Sequence, residues 1–428
     1  MSGRRHLILL ALLVIVGSLA ASLPEGPVSG SSRRPLPEPM ATVPIPPDSR
    51  PALGGTGGAW VPGFVGAEPP PAISAARLND EGMSLTRLGW HRVEAGDYAE
   101  AVRVFEEADR AQPGEGSVLL GIGVAHYLRG DGRRAEAVLY RALDADANQV
   151  IAHKLLGEIA YRADELAAAS AHFETVLRLN PSDEVVRERL DRARNEAHAQ
   201  AGFKTLEGRH FTVKFGGRED PAFARDVLGR LEAAYQDVGR RLGHFPDGKV
   251  PVILYADQEF RDSTVTPAWA QGVFDGKIRL PVGGLSVQAE TLNTAIRHEY
   301  THALLHAWTR GNVPTWLTEG LARTFEGSDV RQEWDLLRKA EHLVPLHELH
   351  GSFLTLPPSQ RGLAYAESFA AVHYLLNHHG VRPVRTLLKE LAGSKDFDRT
   401  FLDAVGLPYA DFQAGFIRNI IVPNWRRS

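Results

Sequence analysis

Cysteine is absent from this 428-residue sequence. Disulfides, thiolate metal sites, a cysteine nucleophile and a lipid-modified cysteine are therefore all excluded. An exported form would have to be held together by its core alone. An excess of one charge is lacking too. The formal net charge is −4 and no long basic run occurs, so no nucleic-acid partner is expected. The apolar run Leu7–Val16 falls short of the ~20 residues that a membrane span needs. What is present is ordinary for globular material, at 43% hydrophobic and 23% charged residues. The length suits two or three domains.

Residues 1–22 read as an export signal. Arg4 and Arg5 give the positive start, Leu7–Val16 the apolar centre, and Ser18-Leu19-Ala20 a small-x-small cleavage site before Ala21. Cleavage leaves no stable membrane span, and the alternative is an uncleaved anchor. Either way the bulk of the chain is expected to be secreted or periplasmic. Residues 23–76 follow as a Pro/Gly-rich linker, with Leu36-Pro37-Glu38-Pro39, Gly54-Gly55-Thr56-Gly57-Gly58 and Pro69-Pro70-Pro71. Such composition cannot bury enough apolar surface to order itself, so a disordered tether is expected.

Residues 77–200 repeat with a period of 34. Gly89, Gly123 and Gly157 are in register, as are Ala101, Ala135 and Ala169, and Phe105, Leu139 and Phe173. Pro113 and Pro181 keep the same phase, with Ala147 between them. The turns are Ala95-Gly96-Asp97-Tyr98, Arg129-Gly130-Asp131-Gly132 and a weaker third copy, Arg162-Ala163-Asp164-Glu165. Glu184–His198 reads as a polar-faced capping helix. The pattern resembles the tetratricopeptide repeat. That resemblance implies three helix pairs with a concave groove for a protein partner. A rigid spacer, or a lid packed on the next domain, is the alternative use.

Residues 203–425 read as a separate domain. Arg209–Phe215 and Val250–Tyr255 are expected strands, the second interior to a sheet, with a helix from Pro221 to about Leu242 between them. Gly272–Pro281 is expected to be a hairpin or edge strand. Then comes His298-Glu299-Tyr300-Thr301-His302, inside a run of helical spacing unbroken until Gly311. Positions i and i+4 share a helix face, so His298 and His302 can present two imidazoles to one metal ion, with Glu299 near the edge of that face and able to reach water. Zinc suits such ligands. After a break at Gly311-Asn312-Val313-Pro314, the run Trp316-Leu317-Thr318-Glu319-Gly320-Leu321-Ala322 opens a second helix. A fold-back there brings Glu319 to the open side of the histidines. Two His and one Glu leave a fourth position for water, as catalytic zinc sites do.

H-E-x-x-H followed by W-x-x-E-G-x-A resembles the gluzincin metallopeptidases of peptidase MA-like type. The resemblance implies an α+β zincin-like fold, His298, His302 and Glu319 as zinc ligands, and Glu299 as general base. The metzincin pattern H-E-x-x-H-x-x-G-x-x-H fails at Leu305 and Trp308. His306 is expected to be a supporting or packing histidine. The run Tyr365-Ala366-Glu367-Ser368-Phe369-Ala370 is similar to a helix start in aminopeptidase-type gluzincins, which implies Tyr365 as donor to the oxyanion. An edge strand before the zinc helix implies pairing with extended peptide. No G-x-M-E-N-like segment precedes that helix, which favours endopeptidase action. Arg323 stands where many relatives carry an acidic residue one turn after the third ligand, so the partner of a zinc histidine must come from elsewhere, with Glu326 and Glu367 as candidates.

The expected architecture is therefore multidomain: an all-α tetratricopeptide-repeat array followed by an α+β zincin-like metallopeptidase domain. The expected function is an exported zinc metallopeptidase acting on a protein or peptide substrate, with the repeats recruiting substrate or partner. The alternatives are a non-enzymatic envelope scaffold with a structural or vestigial zinc site, and a zinc hydrolase of non-peptide amides.

Overall fold

The computed structural model describes residues 85–216, 221–256, 260, 272–282, 289–327, 329–340, 342–393 and 396–421. The expected signal, the expected linker and residues 77–84 of the repeat region lie outside these. Among the described residues no helix is long and apolar enough to cross a membrane.

The first part is a stack of helix pairs: α1 (Leu85–Ala95) with α2 (Tyr98–Ala111), α3 (Gly116–Leu128) with α4 (Gly132–Ala145), and α5 (Val150–Arg162) with α6 (Leu166–Leu179). Helix α7 (Glu184–Ala199) closes the stack. The 34-residue period has a direct steric cause. A Cβ on Gly89 or Gly157 would lie 2.5 Å from the ring of Phe105 or Phe173, and one on Gly123 would lie 2.6 Å from Leu139. In each pair the large side chain of the second helix rests on the bare backbone of the first, and Ala101, Ala135 and Ala169 are fully buried. Gly96 and Gly130 turn the chain with φ of 81° and 75°. Asp97 and Asp131 then cap the second helices by accepting from Glu100 N and Arg134 N, both at 3.2 Å. The third copy departs from this. Asp164 takes the left-handed position with φ 61°, and Glu165 makes no side-chain cap.

The second part is built on a five-stranded sheet of order β1-β2-β3-β5-β4. The strands are β1 (Lys204–Glu207), β2 (Phe211–Phe215), β3 (Val250–Tyr255), β4 (Val273–Phe274) and β5 (Ile278–Pro281). β2, β3 and β5 run parallel, while β1 and β4 lie antiparallel at the two ends. The expected strand at 209–215 is confined to Phe211–Phe215. β1 escapes the sequence reading because Lys-Thr-Leu-Glu has no apolar alternation. The expected hairpin is present, with β4 as its outer strand.

Alternation assigns the two faces of the sheet. Phe211, Val213, Phe215, Val252, Leu254, Ile278 and Leu280 join one core with α8 (Pro221–Leu242) and the helices beyond it. Ile253, Tyr255 and Val273 point to the other face, where Ala199 and Phe203, at the end of the repeat stack, pack against them. The repeat array is thus packed on the sheet. The capping helix, expected to be polar-faced, buries Glu196 there.

Candidate active site

Helix α9 (Ala289–Thr309) carries His298, Glu299 and His302, all buried. One turn separates the two imidazoles, whose ring centroids are 4.7 Å apart. The helix ends where Arg310 and Gly311 adopt φ of 58° and 74° and Gly311 N donates back to His306 O at 3.1 Å. The chain reverses, Pro314 precedes the first turn, and α10 (Thr315–Glu326) returns across α9. Helix α11 (Arg331–Lys339) follows, and Gly320 lets α10 lie tightly on α12 (Pro358–His379), because a Cβ there would sit 2.3 Å from Ser368 O. The neighbouring Glu319 is thereby delivered to the histidines: its Oε2 lies 3.7 Å from His298 Nε2 and 3.8 Å from His302 Nε2.

Whether these residues fit a metal is answered by their unpaired atoms. His298 Nε2, His302 Nε2 and both oxygens of Glu319 are buried without a hydrogen-bond partner. Buried polar atoms ordinarily find one. One ligand atom from each residue lies within 4.8 Å of the others, and among the described residues no other group of His, Asp and Glu is so arranged. Two imidazoles and a carboxylate form a donor set that suits zinc. Burial pushes the Glu299 carboxyl up to about 8, with Glu319 adding to the shift against His298, and pushes Glu319 up to about 7 against its contact with His298. A divalent cation among these donors would be the counter-charge that keeps both ionised. Burial holds His302 neutral, well below its usual range. Burial also disfavours the His298 imidazolium, but Glu319 and Glu326 outweigh it and hold His298 up to about 10, so metal entry there releases a proton.

Both imidazoles are oriented from behind. His298 Nδ1 lies 2.6 Å from Glu326 Oε2 and His302 Nδ1 3.1 Å from Thr318 Oγ1, which turns each Nε2 toward Glu319. Glu326 is the last residue of α10, before Gly327 with φ 83°. Arg323 pairs with Glu326 and donates to Glu333 Oε1 and Asp329 O, both at 2.6 Å. The arginine that departs from the family pattern therefore steadies the carboxylate that supplies the missing role. Glu367, the other sequence candidate, is elsewhere: it accepts from Val344 N at 3.0 Å.

Glu299 faces the hairpin. A Cβ on Gly272 would lie 2.9 Å from Glu299 Cγ, so the backbone entering β4 runs directly against the proposed base. Both Glu299 oxygens are buried without a hydrogen-bond partner. His306, one turn beyond His302, packs edge-to-face on Phe274 of β4 at 5.5 Å, as a packing histidine would. Tyr365 is not at a helix start: α12 begins at Pro358 and Tyr365 lies within it. Its ring meets Phe353 at 5.0 Å, and it packs on the cluster that contains Val273 of β4. The sequence does not single out Thr318 or Gly272. A threonine before a ligand carries no distinctive signal, whereas a lone glycine at a strand entrance is a known mark of close backbone approach.

Residues 236–421 match a family model described as the Peptidase MA superfamily, and residues 92–159 match one for the tetratricopeptide repeat. No curated protein matches the chain. Two solved structures of the myosin chaperone UNC-45 are similar at the level of 14% and 13% identity. One concerns the features critical for binding and folding muscle myosin; it is matched over 78% of this chain and 28% of its own, with a TM-score of 0.26. The other is the C. elegans protein in complex with an Hsp90 peptide, matched over 80% of this chain and 29% of its own, also with a TM-score of 0.26. At that score the likeness carries no argument for fold or function.

Proposed function

We propose that this chain, a tetratricopeptide repeat region followed by a Peptidase MA superfamily domain, is an exported zinc-dependent endopeptidase. The observation that carries the reading is the convergence of His298, His302 and Glu319 within 4.8 Å, with ligand atoms buried and otherwise unpartnered. These three residues would hold the ion. Zinc, when bound, would lower the pKa of a water towards about 7 and polarise a carbonyl.

The chain's own residues do the rest. Glu299, buried beside the entrance to β4, accepts the proton of the attacking water on a carboxylate oxygen and returns it to the leaving amine nitrogen. Glu326 and Thr318 keep the imidazoles turned. The outer edge of β4 offers backbone groups for antiparallel pairing with an extended peptide, which demands little of the side chains. Tyr365, which packs on the cluster that contains Val273, is assigned as donor to the developing oxyanion. A carboxylate buried next to the ligands with no partner of its own has no place in a purely structural zinc site, which favours catalysis over a scaffold. Location outside the cytoplasmic membrane rests on the sequence of residues 1–22.

The test is zinc content together with chelator-sensitive cleavage of a quenched peptide library. The wild type should hold about one zinc per chain. Glu299→Gln should keep the zinc and lose at least about 100-fold in kcat, and Tyr365→Phe should lose about 100- to 1000-fold. An active Glu299→Gln protein would sink the assignment, and an active Tyr365→Phe protein would remove Tyr365 from it.

A further inference from the structure

The face of the sheet turned away from the catalytic helices is charged and yet dry. Lys277 and Arg279, at the inner strand of the hairpin, are fully buried. Their counter-charges come largely from the repeat array. Lys277 Nζ lies 2.5 Å from Asp164 Oδ1 and 2.8 Å from Glu196 Oε2. Arg279 reaches Glu196 Oε1 at 2.9 Å and Asp275 Oδ1 at 3.1 Å. Lys214 of β2 joins Asp164 Oδ2 at 2.5 Å. Three cations thus meet three carboxylates, and the Tyr161 hydroxyl donates to Glu196. Asp164 is the residue that replaces the turn glycine of the first two repeats and holds φ 61°. The third repeat accepts an unfavourable backbone at the point where its carboxylate docks on the sheet.

On the opposite face Ile278 and Leu280 pack in the core with Leu292, Ile296 and Tyr300 of α9. β5 is therefore gripped from both sides. β4 is two residues long, and its partner is β5, with Val273 opposite Arg279 and Phe274 opposite Ile278. A strand that short has no stability of its own, so its position follows β5.

We infer that Asp164 and Glu196 of the repeat array are positioning residues for the peptide-pairing edge strand: by holding Lys277 and Arg279 they fix the β4–β5 hairpin beside Glu299. The repeats are then a structural part of the active site as well as a recruiting module. This rests on the peptidase reading only for what pairs with the edge.

Two variants of the full chain test it. Asp164→Gly restores the residue that suits the turn and removes the carboxylate, at the cost within the array of one hydrogen bond from Gln200 Nε2, 3.3 Å long. Glu196→Gln keeps the shape and removes the charge. Leaving buried cations short of a partner is strongly unfavourable. Amide exchange over residues 272–281 should therefore rise by about 10-fold or more in Asp164→Gly and about 100-fold or more in Glu196→Gln. Exchange in α1–α4 and zinc content should not change. KM for a cleaved peptide should rise by about 10-fold or more with kcat within about threefold, the pattern of lost uniform binding. Unchanged hairpin exchange, exchange raised equally throughout the protein, or a loss confined to kcat would each overturn the inference. If Glu196→Gln does not accumulate as folded protein, Asp164→Gly alone decides. If the wild type cleaves no peptide, the peptidase reading fails, while the exchange measurement still decides whether the repeats hold the hairpin.

Discussion

Glu326 does for His298 what the sequence pattern would place one turn earlier. Its Oε2 lies 2.6 Å from His298 Nδ1, and Arg323 bridges it to Glu333. Outer-sphere carboxylates of this kind typically account for 10- to 100-fold in metal affinity. Glu326→Gln should weaken zinc binding by about that factor in a competition titration against a chelator, and unaltered affinity would remove Glu326 from the site. Glu367 makes a different prediction. Burial pushes its carboxyl up to about 8, opposed by the hydrogen bond from Val344 N. The unfolded chain ionises this group near its ordinary value while the folded chain keeps it neutral. Stability is therefore lost as pH rises from about 4.5 towards about 8. Glu367→Gln should remove that loss and gain stability over the wild type across this window, by on the order of a few kcal/mol at most. Melting curves at pH 5 and pH 8 check it, and a parallel pH dependence in both proteins would clear Glu367 of any part.

At the level of elements, the site depends on how closely α10 crosses α12. Gly320 allows the crossing, since a Cβ there would meet Ser368 O at 2.3 Å and Val372 Cγ2 at 2.4 Å. The first of these is backbone and cannot rotate away. Gly320→Ala should cost about 1–3 kcal/mol by overpacking, and it should displace the adjacent Glu319 enough to lower zinc content. A stable, zinc-loaded Gly320→Ala protein would show that the helices can separate without moving the ligand. The 34-residue period was legible for the same kind of reason: Gly89, Gly123 and Gly157 sit where a large side chain lies on bare backbone. The helix of the H-E-x-x-H motif and its partner α10 were equally legible, because caps, breaks and apolar spacing are local. β1 was not legible, since a polar edge strand has no pattern of its own, and neither was the start of α12, seven residues before Tyr365 at Pro358.

For the molecule as a whole, the repeats and the Peptidase MA superfamily domain share one buried charge cluster. Burial opposes ionisation of Glu196, but Arg279 and Lys277 outweigh it and hold its carboxyl down to about 2. The stability this contributes is fully present above about 4.5 and is lost as pH falls through about 2. Buried pairs are screened weakly by salt. The two parts should therefore unfold in a single calorimetric transition from pH 7 down to about pH 4, in 0.1 M or 1 M salt alike, and should separate only on further acidification. Two transitions at pH 7 would show that the cluster does not couple them.

By itself the sequence determined the nature of the two folded parts, the repeat register, and which four groups, His298, Glu299, His302 and Glu319, are candidates for the site. Each of these is written in local spacing: a helix turn brings i and i+4 together, and a 34-residue period is visible along the chain. Only the tertiary structure decided what stands behind those groups and beside them. Glu326 rather than Glu367 meets His298, Thr318 meets His302, and Gly272 meets Glu299. It also decided that Lys277 and Arg279, within the stretch expected as a hairpin or edge strand, are buried against Asp164 and Glu196. Pairings between residues 81 to 113 positions apart leave no periodic trace, because they depend on how whole elements pack.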